Sequence, residues 1–118
     1  GMFASVPGLV PEDLPGPGRK LVAELRQEIK GPVELFAPYA GQAASVLLDA
    51  VGKSGTRAGV IAAVQGARVK NGITGSFRIL PSGDPSVGPI TVSVAAESFV
   101  PEKVVRPGAA LVKAARQG

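Results

Sequence analysis

The 118-residue sequence predicts a mixed α/β fold, with about three helices packed on a small sheet. Segments 19–30, 39–53 and 57–67 repeat apolar residues at the helical period. Segments 76–80 and 90–96 alternate residue by residue, as strands do. The 16 glycines and 11 prolines gather between these segments and punctuate them.

Met2 to Leu9 is a short apolar run that ends at Pro7-Gly8 and reads as a strand. Pro11 to Gly18 has no period and reads as a loop. Arg19 to Lys30 is a helix, with Leu21, Val22, Leu25 and Ile29 on one stripe. Gly31-Pro32 stops it. Val33 to Ala37 is a connector or a short strand. Pro38 suits the first turn of the next helix, where its missing N–H costs nothing. That helix runs from about Tyr39 to Lys53, with a wide apolar face of Ala40, Ala43, Ala44, Leu47, Leu48 and Val51. Its small residues would let another backbone approach closely.

Thr56 is a candidate N-cap, because its hydroxyl can accept from an orphan N–H. A third helix follows from Arg57 to about Ala67, with Val60, Ile61 and Val64 expected inward. Val69-Lys70-Asn71 reads as the exit from that helix, and Gly72-Ile73-Thr74-Gly75 as a turn into the strand Ser76–Leu80. Gly83-Asp84 between Pro81 and Pro85 marks another turn. In Ile90–Ala96, Ile90, Val92 and Val94 alternate with Thr91, Ser93 and Ala95. Lys103 to Arg106 is a weaker strand, and Gly108 to Gly118 a short helix or a frayed end.

Composition narrows the chemistry. The chain has no cysteine and no histidine, so disulfides, thiol nucleophiles and the commonest general base are absent. No cofactor, metal site or catalytic residue is expected. Lys53-Ser54 is a poor Ser–Lys pair, since neighbouring side chains on a helix diverge. Glu12-Asp13 lies in the Pro-rich loop, and Asp84 suits a turn role. The net charge of +4 is spread along the chain without runs or interleaved aromatics, so no nucleic-acid partner is expected. No segment has the ~18 consecutive apolar residues of a membrane span. The N-terminus shows no basic-then-apolar leader.

An ordered series of short segments carries a resemblance. It runs from Gly1-Met2-Phe3-Ala4-Ser5 to Tyr39-Ala40-Gly41-Gln42-Ala43 and Leu47-Leu48-Asp49-Ala50-Val51. It continues through Gly55-Thr56-Arg57-Ala58, Val69 to Phe77 and Gly83-Asp84. In this order the segments resemble the C-terminal part of type 1 periplasmic binding proteins, the branched-chain amino acid receptors of ABC importers. The resemblance spans roughly residues 1–94. It implies a partial lobe of a two-lobed receptor, with residues 1–118 as its C-terminal portion and an N-terminal part missing.

The resemblance also implies non-catalytic binding of an amino acid or related solute, by closure of two lobes. The implied partners are that ligand, an ABC permease and the missing N-terminal part. Uncovered apolar faces add a homodimer to the expected partners. The implied location is extracytoplasmic for a transporter.

In that family the segment entering the second helix passes near the cleft. Glu34 there could pair with a ligand ammonium, while Phe36 and Tyr39 could pack on its apolar part. Alternatively, Phe36 is core and Tyr39 staples the helix start. Ser5 is a further cleft candidate. The chain departs from the family pattern at Leu80-Pro81-Ser82 and in its tail from Phe99 to Pro107. That tail keeps open a cytoplasmic sensor fused to a regulator, and a structural domain without a ligand is the remaining alternative.

Overall fold

The computed structural model describes residues 2–86, 88–95 and 99–115. Gly1, Ala96 and the tail beyond Ala115, which the sequence reading included, lie outside the described residues. The chain divides into two units: Pro11–Ser86, and Gly1–Val10 together with Val87–Gly118.

The Pro11–Ser86 unit holds three helices and a hairpin. Pro11–Asp13 forms a 3-10 turn and α1 covers Gly16–Ile29, so the expected loop is largely structured. Pro17 sits in the first turn of α1, where its fixed φ is already helical. The helix stops at Lys30, which takes a left-handed conformation (φ 51°, ψ 39°) just before Gly31-Pro32. Residues 31–36 form no strand.

Helix α2 spans Ala37–Lys53 and begins on Phe36, with Pro38 buried in its first turn. Helix α3 spans Arg57–Gln65 and packs on α2. Thr56 caps α3 as expected: its Oγ1 accepts the Gly59 N–H at 3.2 Å.

Strand β2 (Arg68–Gly72) and strand β3 (Gly75–Arg78) then form an antiparallel hairpin. This corrects the expected helix exit at Val69–Asn71. Gly66 ends α3 by donating its N–H to the Ala62 carbonyl at 3.0 Å, and the backbone is extended two residues later. The hairpin turns through Asn71 (φ 51°) and Gly75 (φ 111°), and only glycine takes the latter angle without strain. Leu80, Gly83 and Asp84 close the next turn through two backbone bonds of 2.8 Å, and Asp84 accepts from Ser82 Oγ at 2.8 Å.

The buried apolar residues of this unit are Leu14, Val22, Val33 and Ala50. Apolar residues of α2 and α3 remain uncovered. On α3, of the three residues expected inward, Val60 and Val64 are half-buried and Ile61 is exposed. On α2, all six residues of the apolar stripe are exposed, whereas Pro38, Gln42 and Ala50 are buried. The hairpin turn meets the other side of α2, at Gln42.

The second unit is a three-stranded antiparallel sheet in the order β1-β4-β5, followed by α4 (Ala109–Ala115). Strand β1 is Met2–Pro7, β4 is Ile90–Ala95 and β5 is Phe99–Val105. Pro101 fits because β5 is an edge strand and its register shifts between Val92 and Ser93 of β4. The phase of β4 differs from its apolar alternation. Thr91 and Ser93 are the buried residues, while Ile90, Val92 and Val94 are half-buried. Thr91 tolerates burial because its hydroxyl is hydrogen-bonded.

Candidate functional site

The segment entering α2 brings three of the expected site residues together. Val33 is buried and anchors the segment. Glu34 next to it is exposed, and its carbonyl accepts the Ala37 N–H at 3.0 Å in a tight turn. That turn delivers Phe36 to the N-cap of α2, where its carbonyl accepts the Ala40 N–H at 3.0 Å. Tyr39 follows within the first turn and is half-buried. The Phe36 and Tyr39 rings meet edge to face, with centroids 6.4 Å apart and planes at 66°.

The Phe36 ring is 57% exposed, so it is not a core residue. Val33 and Pro38 occupy the buried positions on either side of it, which leaves the ring pointing outward. The result is an exposed aromatic edge two residues along the chain from an exposed glutamate. Such an edge can pack against an aliphatic group while the carboxylate meets a cation. Ser5, the fourth expected residue, belongs to the other unit. It is exposed on β1 and pairs with Val92 of β4.

Sequence reasoning missed a second feature. A groove of about 410 Å³ runs between α2 and the β2–β3 hairpin. Gln42, Asp49, Arg68, Lys70 and Asn71 are among its lining residues. Gln42 is buried, and its Oε1 accepts the Thr74 N–H at 3.4 Å, which ties α2 to the hairpin turn. The helical spacing of Gln42, Ser45, Val46 and Asp49 was the available signal, since it places them on the face opposite the apolar stripe. The groove is wide open and its charged residues are exposed, so its polar wall is explained by solvation.

Among the described residues, no group of three or more acidic side chains could hold a metal ion. Ser54 Oγ lies 3.3 Å from Thr56 Oγ1 and accepts the Thr56 N–H, which commits it to the α2–α3 turn. No helix among the described residues is long and apolar enough to cross a membrane.

No protein-family model and no curated protein matches the sequence. In structure, the chain is similar to a leucine-binding protein, LivK, from Thermotoga maritima, with a TM-score of 0.76 and 22% sequence identity. The match covers 91% of this chain and 31% of that one, so the chain spans about a third of the solved protein's length. The fold of this chain is therefore that of part of a type 1 periplasmic binding protein.

Proposed function

We propose that the chain is the C-terminal portion of a solute receptor that binds an amino acid or a related small molecule without transforming it. The observation that carries this reading is the fold shared with a leucine-binding protein over nearly the whole chain. The exposed Glu34 and Phe36, with the half-buried Tyr39, support it, because they offer a carboxylate and an apolar platform on one short segment. In this reading Glu34 holds the ammonium group of the solute, and the two rings cover its aliphatic side chain.

The receptor works outside the cytoplasm and passes its solute to an ABC permease. The absence of histidine and cysteine agrees with binding as the task, since the usual nucleophile–base sets are lacking.

Calorimetric titration of the purified chain, and of the complete gene product, with leucine, isoleucine and valine tests the reading. Saturable binding by the complete gene product is the expected result. Failure of the complete gene product to bind any amino acid would overturn it.

A further inference from the structure

Asn71 is the only asparagine of the chain, and a glycine follows it. It lies on β2 where the ladder is interrupted. Arg68 faces Arg78 and Val69 faces Phe77, and the register then shifts to Gly72 facing Gly75, which leaves Lys70 and Asn71 without opposite residues. Such a bulge bends its strand and loosens the pairing around it. The backbone of Asn71 is left-handed (φ 51°), a conformation that asparagine visits more readily than most residues. Its N–H goes to Ser76 Oγ at 2.9 Å. Its side chain is exposed and makes no hydrogen bond with any described residue. Nothing therefore holds the side-chain amide away from the chain's own backbone.

Gly72 supplies the other half of the arrangement. It has no Cβ, so its backbone nitrogen is open to a neighbouring group. Packing demands this glycine: a Cβ there would run into Gln42 Oε1 and Val69 Cγ1. The same Gln42 Oε1 accepts the Thr74 N–H at 3.4 Å. The contact that ties α2 to the hairpin thus fixes the residue that leaves Asn71 reactive.

We infer that Asn71 is a site of spontaneous deamidation. The deprotonated amide nitrogen of Gly72 attacks Asn71 Cγ. A new C–N bond forms, the bond from Cγ to the side-chain nitrogen breaks, and that nitrogen leaves as ammonia. The product is a five-membered succinimide. Water then opens the ring at either carbonyl and gives aspartate or isoaspartate. The net change consumes one water and releases one ammonia, with no oxidant, metal or second protein.

The product alters a defined place. Asn71 lines the groove together with Arg68 and Lys70, so a carboxylate appears beside two cations. The net charge falls by one unit from +4. Isoaspartate also routes the main chain through Cβ, which adds one atom to β2 just before Gly72. Gly72 can then no longer sit against Gln42 as it does, and the tie between α2 and the hairpin weakens.

Incubation of the purified chain at neutral and mildly alkaline pH, after far-UV circular dichroism has shown it folded, tests the inference. One equivalent of ammonia should be released, faster at the higher pH, and ion exchange should show a species of one charge less. Mass spectrometry should place the change at residue 71, as a mixture of aspartate and isoaspartate. The folded chain should react within about tenfold of the urea-unfolded chain, because a bulge opens at little cost. Asn71→Gly accepts the same backbone angle and should abolish the release. The purified isoaspartyl form should unfold at lower urea than fresh protein. Stronger protection of the folded chain overturns the inference. So does ammonia release that survives Asn71→Gly, or an isoaspartyl form as stable as fresh protein. No solute enters the test, so it and the binding titration can fail separately.

Discussion

Thr91 Oγ1 donates a buried hydrogen bond of 2.8 Å to the carbonyl of Gly8, from a strand that begins 82 residues further along the chain. Gly8 in turn donates its N–H to the Pro89 carbonyl at 2.8 Å. The end of β1 is thereby fastened to the start of β4 from both sides. Thr91 is 1% exposed, so the bond forms away from water. Replacing Thr91 by valine keeps the shape and removes the donor. We predict a loss of about 0.5–1.5 kcal/mol in urea unfolding, the net contribution of one intramolecular hydrogen bond. Thr91→Ser retains the hydroxyl and should lose less than Thr91→Val. Equal losses in the two variants would assign the effect to packing.

Leu14 is fully buried at 0% exposure, whereas Ile29 on the same unit is 56% exposed. Leu14→Ala should therefore cost about 2–5 kcal/mol, as core truncations do. Ile29→Ala should stay within about 0.5 kcal/mol. Denaturant midpoints of the two variants, measured side by side, check the contrast.

Arg68 of β2 stands opposite Arg78 of β3, and both are exposed. Like charges at opposed positions destabilise a strand pair. Arg78→Glu should thus stabilise the unit by roughly 0.2–1 kcal/mol at low salt. Added salt should shrink the gain, because exposed charges are screened. Thermal melts of both proteins at low and high ionic strength measure this. A gain that does not respond to salt would rule out charge repulsion as its source.

Phe36→Ala should leave stability within about 0.5 kcal/mol, since the ring is largely in solvent. On the proposed function it should still weaken solute binding by the complete gene product. Glu34→Gln should cost about 10-fold or more in affinity, the loss of a charge-assisted hydrogen bond. Calorimetry with leucine separates these effects from folding. Unchanged affinity in both variants would place the solute elsewhere.

Local chemistry made much of the chain legible from its residues alone. Gly31-Pro32 marked the end of α1, Pro38 the start of α2, and Thr56 the cap of α3; each lies at or next to the boundary that the structure shows. These signals act through backbone angles and single N–H groups, so they need no distant partner. The aromatic and acidic residues entering α2 were visible as candidates for the same reason, and their clustering follows from the turn that holds them. The mixed α/β class was legible as well, although its strands form two separate sheets.

Residues 69–71 show where local reading stops. Val69-Lys70-Asn71 follows a helix and lacks a strand alternation of its own, yet it pairs with β3 because Gly75–Arg78 offers it a partner. The apolar alternation of β4 established a strand but not its buried face, which went to Thr91 and Ser93. The apolar stripe of α2 established a helix but left open what lies against it. Periodicity reports that an element has two unlike sides, through the angle between successive side chains. Which side is covered depends on the neighbours that reach it, and only the tertiary structure supplies those. Here it set the polar side of α2 against the hairpin and left Leu47, Leu48 and Val51 in solvent.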